Sequence, residues 1–191
     1  MQLVERHLIK PTDPRYAAIE RAACASKNLY NAANYVVRQC FIHEGVYLND
    51  QAMHRRLKDH EAYHALPAKV AQWVLRLVDQ NWQSYFAARA AWQDDPAKFL
   101  GHPRLPGYKD KQHGRNLLVY TLQALSIPAL RQGVISPSML GITVRTRQPH
   151  SNSIRASSRC ASFPVAASMW SRSSMSERLS QQRSPPRFMQ A

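Results

Sequence analysis

The amino-acid sequence predicts an α+β fold, with a helical bundle set between strands that pair in one small sheet or barrel. Three observations carry this. Two long segments repeat apolar or small residues every three to four positions, which is the helical period. Shorter runs before and after them alternate, or sit between Gly and Pro turns, as strands do. The grammar then breaks near residue 150, where 12 of the last 41 residues are Ser and Arg/Ser pairs recur (Arg159, Arg172, Arg183). That stretch is expected to be largely disordered.

Residues 1–10 are expected to form the first strand, from the alternating stretch Gln2 to Ile9, with Pro11 ending it. Residues 11–99 are expected to form the bundle. Thr12, Asp13 and Pro14 read as a helix start, combining a capping hydroxyl, an early acid and a first-turn proline. Ile19, Ala22, Ser26, Leu29, Ala33, Val36 and Cys40 then mark the inner face of one long helix ending near Gly45. A shorter helix is expected over 50–60, with Met53 and Leu57 inward. A second long helix starts at Pro67 and closes at Asp94-Asp95-Pro96, with Val70, Trp73, Leu77, Asn81, Tyr85, Ala88 and Trp92 inward and Val74 and Val78 widening the stripe. Its aromatic residues follow the helical repeat, which assigns them to core rather than to a base-stacking platform. Over 100–150 a turn-rich basic loop gives way to β-like runs at 117–123, 133–136 and 142–147.

Composition narrows the partners. The 191 residues hold 26 Lys and Arg against 12 Asp and Glu, a net charge of +14. A charge of that size calls for a polyanion, with nucleic acid first and an anionic membrane surface second. The excess is uneven: residues 1–111 contribute +5 and residues 112–191 contribute +9. No apolar run reaches the roughly 18 residues of a membrane span, and no signal-peptide pattern opens the chain. Cys24, Cys40 and Cys160 form no paired spacing. Cys24 and Cys40 on one helix would lie about 24 Å apart, beyond disulfide reach. The thiols therefore read as reduced and the chain as cytoplasmic. His54, His60 and His64 read as solvated histidines rather than as a metal site.

Catalysis needs converging reactive groups, and the sequence offers none. Beyond Asp110 the only acid is Glu177, which leaves too few carboxylates for a two-metal site. A strained G-x-S-x-G elbow and a G-x-x-x-x-G-K-[ST] phosphate loop are both missing. Basic groups are denser. Arg104, Lys109, Lys111 and Arg115 cluster with His102, Tyr108 and His113 in the loop after the second long helix. Such cations neutralise phosphates without reading sequence, and Tyr108 can stack on a base or sugar. The alternative is a solvated basic loop. Arg55, Arg56 and Lys58 read as a solvated face.

Four segments resemble, in order, the TnpB proteins of small insertion sequences, which are often described as transposases. The segment Ala25-Ser26-Lys27-Asn28-Leu29-Tyr30-Asn31-Ala32-Ala33-Asn34-Tyr35 resembles their first-helix signature. Leu66-Pro67-Ala68-Lys69-Val70-Ala71-Gln72 is similar to their LP-x-x-x-A-Q helix start, and Gly101-His102-Pro103-Arg104-Leu105-Pro106-Gly107-Tyr108 to their G-x-P-R-F-K-G-Y loop. Gly133-Val134-Ile135 with Leu140-Gly141-Ile142-Thr143-Val144 resembles the hairpin before their catalytic domain. The resemblance implies the binding part of an RNA-guided DNA endonuclease, associated with transposition. Its wedge is a small β-barrel, here incomplete, that holds an inserted helical recognition lobe. It also implies guide RNA or DNA as partner, contacted by Arg104, Tyr108, Lys109, Lys111 and Arg115, with Lys27 and Asn31 contributing less. The family's RuvC-like acids and zinc-ribbon Cys pairs, which would take a divalent metal and zinc, have no counterparts here. No cofactor and no catalysis by this chain alone are therefore expected.

Two other readings are a helix-turn-helix DNA-binding module of a transposase and a truncated, non-functional product. A frameshift near residue 150 is a hypothesis for the change of grammar there. Translating the other two frames of the DNA tests it, and finding no family-like strands in either would refute it.

Overall fold

A computed structural model describes residues 5–146 together with the strand Ser162–Val165. The elements in order are α1 (Tyr16–Gln39), α2 (Asp50–Leu57), α3 (Glu61–His64), α4 (Ala68–Asp94), β1 (Leu118–Thr121), α5 (Ile127–Arg131), β2 (Val134–Ile135), β3 (Val144–Arg145) and β4 (Ser162–Val165). The fold is α+β and mostly helical.

Helix α1 starts later than the sequence pattern implies. Residues 11–15 form turns instead, because Asp13 is used locally. Its carboxylate accepts from the Arg15 backbone N–H at 2.9 Å and from the Arg15 guanidinium at 2.6 Å. These bonds hold the Asp13 carboxyl down at about 2. At the other end, the long helix expected to run to Gly45 changes pitch. Residues Cys40–Glu44 form one π-helical turn, a wider coil with i→i+5 bonds. Gly45 stops it at φ +69°, where a Cβ would be strained, and its N–H reaches the Cys40 carbonyl.

The short helix expected over 50–60 is α2, with Met53 and Leu57 buried as expected, and a further one-turn helix, α3, follows it beyond the expected range. Asn49 caps α2 by accepting from the Ala52 N–H. His60 caps α3, its Nδ1 accepting from the Ala62 N–H at 3.0 Å, so one member of the His54, His60 and His64 set has a structural duty. Helix α4 has the expected bounds, but its buried face is rotated by about one position. Val70, Ala71, Val74, Leu75, Val78 and Trp82 are buried, whereas Trp73, Leu77, Asn81 and Tyr85 are half-buried. The reason is that α4 packs on α1, α2 and α3 and also against β1, so its inner face is wider than one stripe. Trp82 is fully buried among Phe41, Tyr47, Tyr85 and Phe86. Of the aromatic residues in the expected stripe, Tyr85 joins this core, whereas Trp73 and Trp92 stay half-buried outside it, and Trp82, off the expected stripe, takes the central place. Tyr47 donates to the Asp79 carboxylate at 2.5 Å, and burial followed by that carboxylate pushes its hydroxyl pKa up.

The β portion departs further. Residues 5–10 are irregular rather than strand-like, and residues 1–4 lie outside the described residues. Charged Glu5 and Arg6 and the neighbouring His7 and Leu8 are exposed there, and only Ile9 packs on the core, so no buried face holds a register. The strands that do form make two separate antiparallel pairs, β1–β4 and β2–β3, and no barrel closes among the described residues. β2 and β3 are the hairpin expected from the Gly133 and Gly141 segments. Gly133 (φ +73°) follows the short helix α5, which the sequence pattern left unassigned. Within the tail expected to be largely disordered, Ser162–Val165 forms the strand β4, paired Leu118 to Val165. The rest of 151–191 lies outside the described residues.

Candidate nucleic-acid interface

Between α4 and β1 the chain crosses the outer side of α1 as an irregular strap, and most of the sequence-predicted site lies on it. Pro103, Pro106, Gly101 and Gly107 prevent regular structure there, so the strap's backbone groups need partners from elsewhere. Helix α1 supplies them from a polar strip at three- and four-residue spacing. Asn34 Nδ2 donates to the carbonyls of Pro106 (3.0 Å) and Gly107 (3.2 Å), and Arg38 also donates to Pro106. One turn earlier, the Asn31 amide pairs with Lys109 as a strand edge would, donating to its carbonyl and accepting from its N–H, both at 2.9 Å. Another turn back, Lys27 Nζ donates to the Lys111 carbonyl. Arg115 pairs with Glu20, which raises the guanidinium pKa, and Asn116 donates to Ser26 Oγ and to the Ala23 carbonyl. The strip's inner anchor is Asn34 Oδ1, which accepts from the buried Trp82 indole N–H at 3.0 Å.

This arrangement sorts the predicted contact residues. Lys27 is 6% exposed and Asn31 is half-buried, and their polar groups are occupied by the strap backbone. Arg115 is half-buried, bound to Glu20 and to the carbonyls of Gln112 and Gly114. Lys109 is half-buried with its ammonium 4.8 Å from the Tyr30 ring centre. Three remain on the outside. Arg104 and Lys111 are exposed, and their side chains bond nothing among the described residues. Tyr108 is 48% exposed, with the Arg38 guanidinium 5.1 Å from its ring centre. Sequence reasoning missed Arg38 and Asn34. The signal was present: Asn is a poor mid-helix residue, so Asn31 and Asn34 within one long helix imply tertiary hydrogen bonds.

A tight turn closes the strap. Asp110 Oδ1 accepts from the N–H groups of His113 (2.5 Å) and Gln112 (2.9 Å), and these bonds hold its carboxyl below the usual carboxylate range. A depressed folded-state pKa stabilises the fold above the unfolded value, about 4, and that stability is lost as pH falls through the folded value. Asp13 works in the same direction. We expect the urea midpoint to fall with acidification from about pH 5 towards about pH 2. Asp110→Asn should flatten part of that slope, and an identical slope in the variant would contradict the assignment.

Among the described residues, no three His, Cys, Asp or Glu side chains converge to hold a metal ion. No helix of the described residues is long and apolar enough to cross a membrane. No family model matches the chain, and no curated protein matches it.

Proposed function

We propose that the chain binds nucleic acid in the manner of the N-terminal, wedge-and-recognition part of a TnpB-like transposase, and that it contributes no catalytic residues. The observation that carries this reading is the strap: Arg104, Tyr108 and Lys111 face outward from a backbone that α1 holds in place. Pre-ordering matters, because immobilising a loop on binding costs affinity that a pinned loop keeps. The surplus of positive charge supports a polyanionic partner, and the resemblance supports guide RNA or DNA in particular. The incomplete wedge-like barrel and the cytoplasmic setting belong to the same proposal. Lys27, Asn31 and Arg115 enter it as residues that shape the strap rather than as phosphate contacts.

A filter-binding salt titration tests the proposal. Replacing Arg104, Lys109 and Lys111 together with Ala should weaken binding and lower the dependence of log affinity on log salt by about two to three, close to one per lost phosphate contact. Unchanged affinity with an unchanged slope would remove the strap from the interface.

A further inference from the structure

Tyr108 does not hang free on its loop. One side of its ring faces the Arg38 guanidinium, 5.1 Å from the ring centre, and that guanidinium is itself fixed by a hydrogen bond to the Pro106 carbonyl at 3.0 Å. Gly107 and Lys109, the residues on either side of Tyr108, are tied to Asn34 and Asn31. The ring is therefore oriented from both backbone directions and from one side, yet it stays 48% exposed. Helix α1 carries a second exposed ring. Tyr35 follows Asn34 and lies one turn before Arg38, and it is 56% exposed. Arg38 thus backs the Tyr108 ring, exposed Tyr35 stands three residues before Arg38 on the same helix, and Arg104 and Lys111 are exposed on the strap at either side of Tyr108 in sequence.

We infer that Tyr108, Arg38 and Tyr35 form a stacking platform for unpaired bases, so that the strand this face takes is single-stranded. This rests on the nucleic-acid reading above and narrows its ligand class. The physical case is that paired bases in a duplex hide their faces, whereas a single strand offers them to an aromatic ring without sequence preference. Arg38 adds a planar cation behind the ring, and Arg104 and Lys111 are placed for the phosphates that lead to and from a stacked base. An aromatic ring already held in place loses little freedom when a base settles on it.

The test uses the full chain and three probes of equal length: a dT strand, an abasic deoxyribose-phosphate strand, and a dA–dT duplex. The wild type should bind the dT strand most tightly of the three. Tyr108→Ala should lower its affinity for the dT strand on the order of tenfold and leave the abasic strand unchanged, and Tyr108→Phe should retain wild-type affinity. Tyr35→Ala should show the same base-dependent loss at smaller size. Equal losses on the dT and abasic strands would mean that Tyr108 only shapes the loop, and would overturn the platform. Duplex preference in the wild type would also overturn it. In either case a salt slope that still responds to Arg104 and Lys111 leaves nucleic-acid binding standing, whereas no binding to any probe removes both readings.

Discussion

Asn34→Ala should destabilise the protein by about 3 kcal/mol, well beyond the typical cost of a single substitution. Asn34 is fully buried and serves three partners at once. Its Oδ1 takes the Trp82 indole N–H, and its Nδ2 serves the carbonyls of Pro106 and Gly107. Alanine leaves a buried N–H without an acceptor and the two carbonyls without this donor, and opens a void beside the aromatic core. Arg38 still reaches Pro106, so the strap is loosened there rather than freed. Urea unfolding should show a lower midpoint with little change in slope, and thermal unfolding a midpoint lower by about 10 °C. Trypsin should cut more quickly after Arg104 and Lys109 in the variant. A double-mutant cycle with Trp82→Phe separates the indole bond from the rest. With the donor already gone, Asn34→Ala should cost less, by about 1 kcal/mol. Additive losses would show that the Asn34–Trp82 bond contributes nothing of its own.

The same residue shows where sequence reading reaches and where it stops. Position 34 lies off the apolar stripe of α1, so periodicity gives it no role, although it is as buried as Leu29. Helical repeats revealed α1 and α4 because apolar spacing reports one-sided burial, and that information is local. The rotation of α4's inner face was hidden because it depends on β1, more than twenty residues further along. The one-turn helix α3 was not legible because its start depends on His60 acting as a cap, a role that His takes less often than Ser or Asp. The strands β1, β2 and β3 were legible as turns and alternation, but β4 and the absence of a strand over 5–10 were not, nor were the strands' partners. Pairing β1 with β4 joins segments over forty residues apart, and nothing in either four-residue run specifies the other. The candidate site was legible as a composition, basic and aromatic. Which cations face outward was not, because Lys27 and Lys111 differ only in what α1 and the strap do to each other.

Gly114→Ala should be the most damaging substitution at the other end of the strap, for a steric reason rather than a hydrogen-bonding one. A Cβ at Gly114 would stand 2.8 Å from the Asp110 backbone N and closer still to its carbonyl oxygen. Backbone atoms cannot rotate away as a side-chain tip can, so the 110–114 turn must open. Opening it removes the Asp110 bonds to Gln112 and His113 and strains the anchors that follow, Arg115 on Glu20 and Asn116 on Ser26. Overpacking of this kind costs about 1–3 kcal/mol, and the lost turn bonds place this case at the upper end. The upstream half of the strap has its own anchors at Asn31, Asn34 and Arg38. Gly114→Ala should therefore lower the unfolding midpoint about as much as Asn34→Ala, yet at low temperature lose less affinity for single-stranded nucleic acid, since of the proposed contacts only Lys111 lies in the opened turn. Asn34→Ala should lose affinity together with stability, since it loosens the segment that presents Tyr108. Measuring both variants side by side separates a strap that merely must be folded from one whose upstream half is the binding surface. Equal affinity losses in the two would place the surface elsewhere.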